Sequence, residues 1–83
     1  MAELENILES LYFSASRPIS TSEVLKLLDD PNYDLKAIKK AILNLEKKYQ
    51  DSSFELVKVA RGHRFRIKQK YSPWISKLWS EKP

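Results

Sequence analysis

The chain has 83 residues, room for one small domain that hides only about two thirds of its unfolded surface on folding, and this excludes enzymes built from two lobes. With 42% hydrophobic and 31% charged residues, one Gly, four Pro, no Cys and a single His, it reads as an ordinary compact globular chain. Disulfides, thiolate metal sites, a Cys nucleophile and an imidazole-built zinc site are excluded together, and no cofactor is implied. The formal net charge of +4 is polarised: residues 1–57 hold 7 Lys+Arg against 10 Asp+Glu, and residues 58–83 hold 8 against 1. That basic end suits nucleic acid, an acidic protein or plain solubility. The acidic opening from Met1 to Asn6 is unlike a signal peptide, and no apolar run approaches the roughly eighteen residues of a membrane span. A cytoplasmic location without a membrane partner is the expectation.

From Leu4 the apolar positions Leu4, Ile7, Leu8, Leu11 and Ala15 mark one face of a first helix, which Arg17-Pro18 stops. Ser20-Thr21-Ser22-Glu23 has capping-box spacing: the Ser20 hydroxyl would accept from the Glu23 amide while the Glu23 carboxylate reaches back to the Ser20 amide. A short second helix over about Thr21 to Leu28 follows. Asp29-Asp30-Pro31-Asn32 breaks it, and Asp34 caps a longer third helix whose Leu35, Ile38, Ile42, Leu45 and Tyr49 recur at helical spacing.

Two β-type runs, Phe54 to Ala60 and His63 to Lys68, flank Arg61-Gly62 and predict a hairpin around the only glycine. A two-residue turn would pair Lys58 with Phe65; a three-residue loop would pair Val57 with Phe65 and keep apolar residues opposite each other. Ser72-Pro73 places an N-cap before a proline at the first position of a closing helix that carries Trp74, Ile75, Leu78 and Trp79. The order of three helices, a two-stranded wing and a short C-terminal helix defines an α+β winged helix-turn-helix. That fold serves both DNA binding and pure protein interaction, so it does not choose the function.

On a wheel of about 100° per residue, Lys36, Lys40 and Lys47 gather at about 120° to 160° from Ile42, an outward stripe with Asn44 beside it. In a DNA-binding reading the lysines meet phosphates or base edges and Asn44 reads adenine; the plainer reading is a solvated helix face. Arg64, Arg66 and Lys68 alternate with Phe65 and Ile67 and project from one side of a strand, with Arg61 at the turn, which suits a phosphate backbone or a polar strand face. His63 lies among cations and reads as a surface-turn histidine, and no constellation supports an enzyme.

More informative are apolar residues off their faces. Phe13 points about 140° from Leu8, Leu43 stands about 100° off the third helix's core, and Trp74 and Trp79 are about 140° apart. One short helix on so small a domain does not easily bury two indoles, so Phe13, Leu43, Trp74 and Trp79, with Tyr12 and Leu78 as weaker additions, are candidate interface residues. The alternative for Phe13 is that it turns inward where the first helix ends.

The stretch from Leu4 to Ser22, the wing from Phe54 to Ile67, and Tyr71-Ser72-Pro73-Trp74-Ile75 with Leu78-Trp79 resemble the segregation and condensation protein B (ScpB) family, whose wing is followed at a fixed distance by a Pro-Trp helix. The resemblance covers nearly the whole chain. It implies two tandem winged-helix domains that act without catalysis beside an SMC ATPase and the kleisin ScpA in bacterial chromosome condensation and segregation, the first domain serving homodimerisation and the second gripping the kleisin. The chain stops about where that family continues into its second domain, so it reads as the first domain alone. Arg61 stands where the family has a small residue and His63 where it has an aromatic, a more basic wing tip that leaves weak DNA contact open. The reading is a dimerising scaffold module; the alternative is a winged-helix transcriptional regulator that binds DNA through Lys36, Lys40, Asn44, Lys47, Arg61, Arg64, Arg66 and Lys68.

Overall fold

A computed structural model describes residues 2–80. In chain order it contains α1 (Ala2–Ser14), β1 (Ile19–Ser20), α2 (Thr21–Leu28), α3 (Leu35–Lys48), β2 (Phe54–Val59), β3 (Gly62–Ile67), a 3-10 turn (Gln69–Tyr71) and α4 (Ser72–Ser80). The strands form one antiparallel sheet in the order β1-β3-β2, the α+β winged helix-turn-helix expected, with a third strand that two residues are too short to announce by alternation.

In α1, Leu4, Leu8 and Tyr12 fall four apart and are buried, and Glu3 and Glu5 occupy the first turn, where the helix dipole favours carboxylates. The Ser20 hydroxyl caps α2 by accepting from the Glu23 N–H at 3.1 Å. The reciprocal half of the capping box does not form: the Glu23 carboxylate instead takes two bonds from the Arg17 guanidinium, at 2.8 and 2.6 Å, a bidentate pairing stronger than one bond to an amide. That hydrogen bonding holds the Glu23 carboxyl below its usual range.

Asp29 ends α2 in the left-handed region, at φ 47, and Asp34 caps α3 by accepting from the Ala37 N–H at 2.9 Å. Ile38, Ala41, Ile42 and Leu45 of α3 meet Leu4, Leu8, Tyr12, Ile19, Val24 and Leu56 in a core with no buried polar or charged residue among those described. Leu35 leaves the pattern and is exposed.

The hairpin register differs from both expected alternatives. Leu56 pairs with Phe65, Val57 with Arg64, and Val59 with Gly62, so the turn is Ala60-Arg61 and the apolar pair is Leu56 with Phe65. Gly62 is not the turn residue. Ala60 takes the positive φ, 51°, and Gly62 has none; it sits inside β3 opposite Ser20, where an added Cβ would lie 2.7 Å from the backbone carbon and oxygen of Ile19. Its missing side chain is what lets β1 close on β3.

Ser72 is not an N-cap either, because its backbone is already helical (φ −61, ψ −30) and the chain begins to coil at Gln69. α4 packs on that 3-10 turn and makes no comparable contact with α1, α2, α3 or the sheet. It projects outward: the radius of gyration is 14.8 Å and the extents are 51 × 24 × 21 Å, against about 12 Å expected for a compact chain of this length.

Two substitutions separate the roles of the turn and the close approach. Gly62→Ala is expected to lower stability by about 1–3 kcal/mol, since backbone must move to admit the methyl, seen as a lower urea midpoint at unchanged slope. Ala60→Gly is expected to raise it by up to about 1 kcal/mol by relieving the left-handed alanine. A wild-type midpoint for Gly62→Ala would remove the close-approach account.

Candidate protein interface

The parity of the β3 pairing sorts its side chains. Phe65 and His63 share the face of Leu56 and Ile19, which the helices cover, while Arg64 and Arg66 point to the opposite face. At the far end of the covered face four rings gather: Phe13 stacks on Phe65 with centroids 4.0 Å apart and 15° between planes, Phe54 meets Phe13 edge-on at 5.2 Å, and Tyr49 meets Phe65 edge-on at 5.2 Å. Such pairs each add about 0.5–1.5 kcal/mol beyond their burial. Phe13 is nevertheless 50% exposed and Ile67 48%. One face of Phe13 is covered and the other is open, so it neither turns fully inward nor stands apart. Phe13, Phe54, Phe65 and Ile67 line a shallow cavity of about 230 Å³.

On α4, Trp74, Leu78 and Trp79 are 64%, 66% and 61% exposed. With the half-buried Ile75 they occupy an arc of about 140°, leaving Ser76, Lys77 and Ser80 on the other side. The helix is thus amphipathic with its apolar side toward solvent, the feature that marks an interaction surface.

Two of the expected interface residues lie elsewhere. Tyr12 is in the core, 2% exposed, because it stands four residues from Leu8 on the inward stripe. Burial pushes its phenol up to about 12, and its hydroxyl has no hydrogen-bond partner. Leu43 is 57% exposed but lines a separate groove of about 590 Å³ between α3 and the hairpin tip, with Lys39, Glu46, Lys58, Arg61 and His63. Nothing in the sequence pattern signalled that groove, since it joins residues from four elements.

The expected nucleic-acid contacts do not form one surface. Lys36, Lys40, Lys47, Arg61 and Arg64 are exposed, but Arg64 lies on the sheet face away from α3. Asn44 is half-buried and donates to the Glu5 carboxylate at 2.7 Å, which withdraws it as an adenine reader. Arg66 donates to Glu55 at 2.9 Å, and Lys68 donates to the Gln50 carbonyl. Internal partners therefore hold three of the eight.

His63 is a strand residue facing the groove, not a turn residue. Burial lowers its pKa from the ordinary value, with Glu46 opposing and Lys58 adding to the shift; its Nδ1 is buried without a partner. Among the described residues no three acidic or histidine side chains gather to hold a metal, and no helix is long and apolar enough to cross a membrane. Because the folded state holds His63 below its unfolded pKa of about 6.5, stability is expected to be full above that pH and to fall as pH drops through the lower folded value. Urea midpoints between pH 7.5 and 5 test this: His63→Gln should flatten the decline, and an unchanged slope would assign it to other groups.

The model of the family described as segregation and condensation complex subunit ScpB matches residues 6–83. A segregation and condensation protein B homolog from Coxiella burnetii is 31% identical over 78 residues, 93% of this chain and 37% of that protein; the chain thus spans little over a third of that relative. Among solved structures, ScpB from Mycobacterium tuberculosis superposes with TM-score 0.83 at 18% identity, over 96% of this chain and 49% of that one. A conserved hypothetical protein from Chlorobium tepidum gives 0.78 at 20%, over 93% and 48%. The ScpB N-terminal domain, solved as a dimer complexed with ScpA peptide, gives 0.82 at 21%, over 93% and 95%. These structures share the fold of this chain, and with the family match over almost its whole length the chain belongs to the ScpB family of segregation and condensation complex subunits.

Proposed function

We propose that this chain is the N-terminal winged-helix domain of an ScpB-type subunit, a scaffold without catalytic activity that self-associates and works, in the cytoplasm on the nucleoid, beside an SMC ATPase and the kleisin ScpA in chromosome condensation and segregation. The observation that carries self-association is the outward apolar face of α4, where Trp74, Leu78 and Trp79 are all more than 60% exposed on a helix that packs chiefly on its own 3-10 turn. The solved relative that matches this chain almost end to end is a dimer holding ScpA peptide, which supports the same two partners for this chain.

The chemistry of the surface fits a scaffold. His63, the one imidazole, lines a groove with Glu46, Lys39, Lys58 and Thr21, but its Nδ1 has no hydrogen-bond partner and no group there orients a proton transfer. An apolar dimer supplies two copies of whatever follows each domain, so one assembly can be held from two sides by an isologous contact.

Light scattering over a dilution series tests the reading. The expected mass is twice 9.7 kDa, unchanged from low to high salt because apolar contact is not screened, whereas binding to phosphates would weaken steeply. Trp74→Ala with Leu78→Ala should weaken the dimer at least about thirtyfold, the effect of one anchor worth about 2 kcal/mol. Arg64→Ala with Arg66→Ala should leave it intact. A monomer at every concentration, or co-migration with a DNA duplex lost in the arginine variant, would overturn the assignment.

A further inference from the structure

Resting on that dimer reading, we infer that α4 of one copy docks not against its counterpart but into the aromatic cavity bounded by Phe13, Phe65 and Ile67 of the other copy, so that two chains exchange their C-terminal helices. Four observations carry this. The chain has two open apolar surfaces, the α4 stripe and the Phe13–Ile67 patch, joined by a short connection, since β3 ends at Ile67 and α4 begins five residues later. The helix that follows does not cover the patch: Phe13 and Ile67 keep about half their surface open while Trp74 and Leu78 keep nearly two thirds.

The sizes agree. The cavity measures about 230 Å³, and a cavity of about 150 Å³ is enough to hold a benzene ring, so one indole fits with its edge on Phe54. Covering both surfaces reciprocally removes on the order of 500 Å² per chain, with aromatic side chains offering about 150–250 Å² each, and about 1,000 Å² in total is the threshold of a specific interface.

Charge selects the same arrangement. Each copy carries a net +4, and the exposed lysines of α3, Lys36, Lys39, Lys40 and Lys47, would face one another in a contact made through that helix. The α4 stripe carries no charge, and Arg66, which borders the cavity from β3, turns its guanidinium to the other face of the sheet and pairs with Glu55 at 2.9 Å. Two positive chains that meet there keep the lysine face of α3 apart, with Lys70 of the 3-10 turn and Lys77 of α4 at the margin of the contact. A two-fold axis near the 3-10 turn satisfies both surfaces at once, whereas α4 packed on α4 would bury the tryptophans and leave Phe13 and Ile67 open.

The absence of native cysteine makes disulfide trapping direct. Chains carrying Phe13→Cys and Leu78→Cys are mixed under mild oxidation, one lengthened by a tag so that the mixed product has its own mass; Ile67→Cys with Leu78→Cys is the second pair should Phe13→Cys not fold. The expected result is a mixed covalent dimer forming at least tenfold faster than either self-linked product. Leu78→Cys linking to itself as fast as to Phe13→Cys or Ile67→Cys would mean that α4 packs on α4 and would overturn the exchange. A dimer by light scattering with no mixed product from either pair would also overturn it while leaving the scaffold reading in place. A chain that stays at 9.7 kDa would overturn both.

Discussion

The close approach of Gly62 to the backbone of Ile19 organises this domain. β1 is two residues long, and its pairing with β3 is possible because no Cβ stands between them. Ser20 is at once the last residue of β1 and the N-cap of α2, so the strand pairing fixes where α2 starts. Ile19 on one side of that junction and Val24 on the other both enter the core. A methyl at Gly62 would thus disturb a strand, a cap and two core residues together, the coupling expected where backbone packs directly on backbone.

A chain this small encloses few residues, and the ten buried hydrophobic ones among the described residues come from five of the elements, α1, β1, α2, α3 and β2, with none from α4. Surplus hydrophobic side chains are consequently forced outside. Some are dispersed: Leu25, Leu27 and Leu35 are exposed on α2 and α3 and need no partner, since folded surfaces are more than half apolar. The tryptophans differ because they lie on one helix that the core does not reach. Two indoles at that position add little to the stability of the described domain and leave apolar area in contact with water.

Helix positions were legible because their signals are local. Ser20 and Asp34 cap through their own side chains, and the α2 boundaries follow from the residues at its ends. The hairpin turn was misplaced for a physical reason: glycine is ordinarily the residue with positive φ, but here tertiary packing claims Gly62 and leaves the turn to Ala60. The same override applies to Tyr12, whose ring belongs to the inward stripe although it neighbours the outward Phe13, and to Asn44 and Arg66, whose partners Glu5 and Glu55 lie on other elements. Outlying aromatics on α4 were readable from the wheel, because their angular positions depend on helix geometry alone. The α3–hairpin groove and the stacked Phe13 and Phe65 rings were not, since they depend on strand register.

Charge and apolar area are arranged so that one does not cancel the other. The positive excess of residues 58–83 would oppose association of identical chains if it lay on the contact surface. Part of it is instead held by internal partners, as Arg66 is by Glu55 and Lys68 by Gln50, or turned to the uncovered face of the sheet, as Arg64 is, while Lys58 and Arg61 sit at the hairpin groove. Lys77 lies outside the apolar arc of α4, about 60° from Trp74. The apolar surface thus keeps a low local charge within a basic chain, and with roughly 8 Å of screening at physiological salt the remaining cations act weakly across it. They remain available to attract acidic segments toward the assembled domain without taking part in its assembly.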